Sequence, residues 1–194
     1  MKDFYKKIKE EFGQRYIRCS CIADKTTEDI FCEFLSRKKI VNALEIGTWF
    51  GVSSMVLSHY ADKVFTIDIQ WRPEPGLLWA TFGVADKINR YERDSEKQKA
   101  DIVDHLDFDF AFVDGNHRYD GVKADFELVK RCGRVLFHDY YDHTDTIPGI
   151  DFKTAIDNGK DPDTFGEVKR FIDELPKDEV SIMKPFALWE RKDD

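Results

Sequence analysis

The sequence predicts an α/β fold: a mostly parallel sheet covered by helices on both faces. Three observations predict it. Short apolar runs that suit buried strands alternate with stretches of helical periodicity. Those runs end repeatedly in an acid: Glu45, Asp68, Asp114 and Asp139, with Asp94 after a weaker run. The run beginning at Val41 passes through Glu45-Ile46-Gly47-Thr48-Trp49-Phe50-Gly51 into a helical pattern at Ser53 (Met55, Val56, Leu57, Tyr60). Strand, glycine turn and helix let a backbone approach a small ligand closely.

The elements follow in order. Residues 3–18 read as an amphipathic helix with Phe4, Tyr5, Ile8 and Phe12 on one side, weakened by Gly13. Thr27-Glu28-Asp29 opens a second helix with Ile30, Phe31, Phe34 and Leu35 as its apolar stripe. The first strand covers 41–45 and the second 63–69. Pro73, Pro75 and Gly76 predict a turn and a short helix within 71–85. A weak third strand at 88–91 ends near Asp94-Ser95, and 96–106 is the next helix. A strong fourth strand spans 108–114. A loop at 115–119 precedes a helix at 120–130, closed by Cys132-Gly133. The fifth strand is 134–139. Residues 141–163 are polar, with Pro148, Gly149, Gly159 and Pro162, and suit a substrate lid. A helix at 165–175 precedes an antiparallel pair at 179–183 and 186–190, separated by Lys184-Pro185.

At 194 residues the chain suffices for one domain with a full core. That domain is expected over 1–194, with N-terminal helices at 1–38 and the sheet from 39 onward. The formal net charge of −8 makes nucleic-acid binding a poor fit. Lys2, Lys6, Lys7 and Lys9 alternate with acids, as on a solvated helix face. Cys19, Cys21, Cys32 and Cys132 show no paired metal-ligand spacing. No apolar run reaches membrane-spanning length, and the charged N-terminus has no apolar core of a signal peptide. A reduced, cytoplasmic protein is expected, with neither nucleic acid nor membrane as partner.

In an open parallel sheet, ligands bind beyond the carboxyl ends of the strands. Acids at so many strand ends therefore line one rim of one cleft. A dinucleotide would rest its pyrophosphate on the helix N-terminus through G-x-G-x-x-G. Here the middle glycine is absent, and a buried Glu45 would repel pyrophosphate. An ammonium or sulfonium ligand without phosphate is attracted instead. Asp68 follows the turn at the spacing of an acid that accepts from both ribose hydroxyls. A positively charged adenosine ligand satisfies both features.

The E-x-G-x-x-x-G-x-S turn, the acid at Asp68, Asp114-Gly115-Asn116-His117-x-Tyr119 and Gly133-x-x-x-Phe137-His138-Asp139 together resemble the class I S-adenosylmethionine-dependent methyltransferases. More narrowly, they are similar to a bacterial small-molecule O-methyltransferase branch with D-G-x-H-x-Y after strand four and H-D ending strand five. That branch is related to macrocin-type O-methyltransferases and cephalosporin hydroxylase-like proteins. The resemblance covers about 43–140. It implies a Rossmann-like three-layer sandwich with seven strands in the order 3-2-1-4-5-7-6 and an antiparallel terminal strand. It also implies methyl transfer from S-adenosylmethionine to a small-molecule hydroxyl. Glu45, Gly47 and Gly51 would hold the methionine part, Asp68 the ribose, and Asp94 and Ser95 the adenine. Thr48, Ser53, Ile69 and Asp114 complete the cofactor set. Arg93 stands where the family has a glycine.

In that strand order, strands four and five are neighbours about 5 Å apart. The carboxylates of Asp114 and Asp139 would then face each other and must share a proton or a cation. A divalent ion on Asp114, His138 and Asp139 resolves this, magnesium by its oxygen preference. His138 stands where metal-dependent relatives often carry an acid, and an imidazole suits manganese, iron or zinc better. His117, with Asp114, is the catalytic candidate: an imidazole titrating near neutrality is a general base for the acceptor proton. Trp71, Trp79, Phe82 and Tyr141 are candidate walls of the acceptor pocket. Two alternatives stay open: a metal-dependent hydroxylase-like enzyme on the same fold, and a catalytically silent S-adenosylmethionine-binding protein. Self-association is open as well.

Overall fold

A computed structural model describes residues 3–18, 20–93, 96–146, 151–157, 159 and 161–192. Seven strands form one sheet: β1 (Ile40–Ile46), β2 (Ala61–Asp68), β3 (Ile88–Glu92), β4 (Phe110–Val113), β5 (Arg134–Phe137), β6 (Val180–Met183) and β7 (Phe186–Glu190). Their order is β3-β2-β1-β4-β5-β7-β6, as expected. The first five pair in parallel, and β7 runs antiparallel to both β5 and β6.

Side-chain alternation explains why both faces are covered. Along β4, Phe110 and Phe112 enter one apolar cluster while Ala111 and Val113 enter another. Strand β7 repeats the pattern, with Phe186 and Leu188 on one face and Ala187 and Trp189 on the other. Successive residues of a strand point to opposite faces, so a strand that is apolar throughout needs helices on both. The first face receives α1 (Phe4–Phe12), α2 (Gln14–Arg18), α3 (Lys25–Ser36), α4 (Val52–Leu57) and α5 (Glu74–Thr81). The second receives α6 (Glu96–Val103), α7 (Tyr119–Val129) and α9 (Glu167–Ile172), where Phe126 meets Trp189 edge-on at 5.0 Å. Helix α8 (Phe152–Asp157) lies in the expected lid segment. There Phe152 packs between Tyr141 and Phe165 with ring centroids 5.2 and 5.0 Å away.

The N-terminal region departs from expectation. The single helix at 3–18 is two helices, broken at Gly13. Helix α3 starts earlier than Thr27, because Asp24 caps it. The Asp24 carboxylate accepts the Thr27 amide at 2.9 Å, and Thr27 Oγ1 accepts the Asp24 amide at 3.0 Å. Glu28, fully buried, accepts the amides of Phe4 at 3.1 Å and Tyr5 at 2.7 Å. Those are orphan donors of the first turn of α1, so one side chain of α3 satisfies and orients another helix.

At the far end of the sheet from the acids, Asp109 ties β4 to β1. Its carboxylate accepts the amides of Val41 at 3.0 Å and Asn42 at 2.8 Å. Among the described residues, no helix is long and apolar enough to cross a membrane.

Candidate active site

The turn between β1 and α4 is built by close backbone approach. Gly47 has φ +100, and a Cβ there would lie 2.3 Å from the carbonyl oxygen of Asp114. The end of β1 is thus pressed against the end of β4, and only glycine fits. At Gly51 an added Cβ would meet Trp79 Nε1 at 2.7 Å and Pro75 Cβ at 2.8 Å. The Trp79 indole donates to the Gly51 carbonyl at 2.8 Å, so α5 braces the turn from below. A small cavity opens at the turn, lined by Ser20, Cys21, Gly47, Thr48, Trp49, Phe50, Val52, Ser53 and Asp114. Four residues expected to bind cofactor, Gly47, Thr48, Ser53 and Asp114, meet there. Ser20 and Cys21, between α2 and α3, carry no motif and were not foreseen.

Glu45 is fully buried beneath the turn. Its Oε2 accepts from the hydroxyls of Ser54 and, at 2.5 Å, of Thr66. Thr66 in turn shares a 2.6 Å hydrogen bond with the hydroxyl of Thr48. Oε1 is buried without a hydrogen-bond partner. Burial lifts this carboxyl to about 7, against the lowering pull of the Ser53, Ser54 and Thr66 hydroxyls. Asp68, at the end of β2, holds the turn from the other side. Its Oδ2 accepts the amides of Thr48 at 2.9 Å and Trp49 at 2.7 Å, and Oδ1 accepts the Gln70 amide at 2.9 Å. A carboxylate offers about four acceptor positions. Three are taken by backbone, which leaves room for about one ribose hydroxyl rather than the expected two. Ile69 is 77% exposed beside it. Asp94 and Ser95, expected near the adenine, lie outside the described residues.

The second cluster gathers at the ends of β4 and β5, whose last residues Val113 and Phe137 are in register. Asp114 and His138 therefore emerge side by side. Asp139 adopts φ +61, a left-handed turn that returns its carboxylate to the same point. His138 Nδ1 lies 3.1 Å from Asp114 Oδ1 and 2.9 Å from Asp139 Oδ1. His117, with half its side chain exposed, bridges the same acids: Nε2 is 3.3 Å from Asp114 Oδ1, and Nδ1 is 3.2 Å from Asp139 Oδ2. Burial opposes charge on His117, yet the two carboxylates outweigh it and lift the imidazole to about 9. The expectation of an unperturbed imidazole therefore does not hold, because its partners are two carboxylates and not water. His138 is likewise held well above its ordinary value: burial opposes its charge, and Asp139 and Asp114 prevail. Burial alone would raise Asp139, but His138 and then His117 hold it far below the usual carboxylate range. Asp114, His138 and Asp139 each offer one donor atom within 4.8 Å of the others, the metal set expected from the sequence.

Residues 44–140, half of the chain, match a family model described as a methyltransferase domain. The chain belongs to this methyltransferase family. No curated protein matches the methyltransferase significantly in sequence. Solved structures share its fold. One from Staphylococcus aureus, assigned as a caffeoyl-CoA O-methyltransferase, aligns with TM-score 0.71 and 19% identity over 99% of this chain and 93% of its own. An O-methyltransferase from Bacillus cereus, solved with S-adenosylhomocysteine, gives TM-score 0.67 and 15% identity over 98% and 92%. The O-methyltransferase TomG from Streptomyces achromogenes, solved with S-adenosylmethionine, gives 0.63 and 18% over 98% and 90%.

The aromatic residues of the methyltransferase sort themselves by burial. Trp79 and Phe82, expected as acceptor walls, pack into the first-face core. The reason is α5, which lies against the turn and not over the cleft. Trp71 is 62% exposed, with the Arg90 guanidinium 4.4 Å over its ring. Tyr141 is the one at the cluster: it is buried and its hydroxyl bonds Asp139. Thr66 and Ser54 also went unforeseen. Polar residues inside otherwise apolar elements were the available signal, but naming Glu45 as the partner requires the β1–β2 register for Thr66 and the path of the turn into α4 for Ser54.

Proposed function

We propose that this methyltransferase moves a methyl group from S-adenosylmethionine to an oxygen of a small molecule, with a divalent ion on Asp114, His138 and Asp139 orienting the acceptor. The observation that carries the reading is the acid-lined turn within the family-matched segment. Asp114 lines the cavity beside Gly47, Asp68 holds the amides of Thr48 and Trp49, and Glu45 keeps one buried oxygen unpaired beneath the turn. That setting suits an adenosine ligand bearing positive charge and no phosphate. The solved O-methyltransferases bound to S-adenosylmethionine and S-adenosylhomocysteine support the same cofactor.

When bound, S-adenosylmethionine would supply a methyl on its sulfonium sulfur, the sulfur leaving as the neutral thioether of S-adenosylhomocysteine and the acceptor hydroxyl giving up its proton to His117 or to solvent. The chain's own residues align and shield. Gly47, Thr48 and Ser53 line the cavity for the methionine part, and Asp68 offers its remaining acceptor position to the ribose. The ion's chemistry is to lower the pKa of a bound hydroxyl. The ligand residues fit such an ion, since three donors of two elements already converge. His117, the exposed member of the cluster, is the side chain within reach of an acceptor brought to the two aspartates. Tyr141, whose hydroxyl bonds Asp139, would stand beside that acceptor.

Calorimetry tests the cofactor directly. S-adenosylmethionine and S-adenosylhomocysteine should bind with micromolar dissociation constants; absence of binding by both sinks the reading. Asp68→Asn should weaken binding about tenfold or more, the scale of one charge-assisted hydrogen bond. Unchanged affinity removes Asp68 from the cofactor site.

A further inference from the structure

The donor set at the ends of β4 and β5 discriminates among metals. His138 Nδ1 faces two carboxylate oxygens of different residues at 2.9 and 3.1 Å. A ring nitrogen carries at most one hydrogen and donates well to one acceptor. Two near-equidistant acceptors are what a pairwise hydrogen bond does not require. They are what donors sharing one cation show, because metal–ligand bonds of about 2.1 Å put neighbouring donors about 3 Å apart.

Packing fixes the arrangement. The His138 ring lies against Phe186 of β7 at 5.2 Å between centroids, which aims Nδ1 at the acids. Its own amide bonds the Val113 carbonyl at 3.2 Å, holding β5 to β4. Asp139 is fixed by its left-handed turn and by the Tyr141 hydroxyl, the sort of outer partner that orients a ligating carboxylate.

We infer that this site selects a first-row transition ion of the manganese, iron, cobalt or zinc class over magnesium, with His138 as the discriminating ligand. The inference rests on the methyltransferase reading and deepens it. Magnesium demands oxygen donors and gives up water reluctantly. An imidazole nitrogen in the first coordination sphere is a poor exchange for that water. For cobalt or zinc it is a preferred donor, and manganese accepts it readily. The two aspartates supply charge for any divalent ion, so the choice falls to the imidazole.

Chelator-stripped protein, titrated by calorimetry with cobalt, zinc, manganese and magnesium chlorides, decides the ranking. Cobalt and zinc should bind about a hundredfold tighter than magnesium, and the cobalt complex should show visible bands shifted by nitrogen ligation. His138→Asp replaces the nitrogen by oxygen and should lower cobalt affinity at least about tenfold while raising that for magnesium. Far-UV circular dichroism checks the fold of the variant. Should it misfold, the wild-type ranking and the cobalt spectrum still decide. Equal affinity for magnesium and cobalt, an all-oxygen cobalt spectrum, or no binding of any of these ions overturns the inference; in the last case the four groups are an ion-pair network. S-adenosylmethionine binding is measured on the same samples. Cofactor binding without transition-metal preference defeats the metal inference alone. Loss of both defeats the methyl-transfer reading.

Discussion

Glu45 carries the clearest single-residue consequence. Its carboxyl is raised to about 7 by burial, so the folded chain holds this proton more tightly than the unfolded chain does. Stability contributed by the protonated form is full below the unfolded value near 4.5 and is lost as pH rises toward 7. Glu45→Gln should therefore leave the melting temperature nearly unchanged at pH 5. At pH 8 it should raise it by several degrees, since a shift of this size is worth on the order of 2–3 kcal/mol. A variant less stable than the parent at pH 8 contradicts the assignment. The sequence made the acids visible because strand ends are legible from periodicity. It did not show that Asp68 spends most of its acceptor positions on backbone amides, nor that Thr66 supports Glu45. Both depend on which residues of β1 and β2 face each other. His117 shows the same limit: its neighbours Asp114 and Asp139 were in plain view, but their joint approach to both ring nitrogens was not.

At the scale of elements, the turn after β1 and the turn after β4 are one construction. Gly47→Ala forces a Cβ against the backbone carbonyl of Asp114, at a φ that L-residues rarely adopt. It should cost about 3–5 kcal/mol, combining backbone strain with overpacking against atoms that cannot rotate away. Gly13→Ala is the control, because that glycine has φ +82 but nothing within 4 Å. It should cost less, about 1–3 kcal/mol of backbone strain alone. Urea unfolding of the two variants compares them, and equal losses would show that contact with β4 plays no part. Most strands and helices were legible, as apolar runs and helical stripes survive without tertiary context. The N-terminal helices were misjudged where tertiary structure intervened. The break at Gly13 lets α1 and α2 take separate positions, and Glu28 reads as an ordinary helix acid until Phe4 and Tyr5 are seen above it. Helix α5 was found, but its direction was not. That is why Trp79 turned out to brace Gly51 and not to wall the cleft.

For the whole molecule, Glu45, Asp68, Asp114 and Asp139 each lie in or just after a strand of one continuous sheet. A ligand that binds only the folded chain stabilises all of it. S-adenosylmethionine at a hundred times its dissociation constant should add about 2.7 kcal/mol, and so raise the melting temperature by about 5–10 °C. A flat thermal profile across that titration argues against the cofactor. The strand order followed from recognising the family, and no local pattern could have supplied it, because β7 reaches β5 only after the long segment between them. The sheet is secured unequally at its two ends. At one end the Asp109 carboxylate grips the Val41 and Asn42 amides within the β1–β4 pair. At the other, the Thr48 and Trp49 amides hang on Asp68 in an irregular turn beside a cavity. In deuterium exchange these two pairs report on different events. The first pair should wait for global unfolding, while the second should exchange through brief local opening. Because that opening loosens the turn proposed to receive the cofactor, the exchange of Thr48 and Trp49 sets a clock for how often the turn is ready.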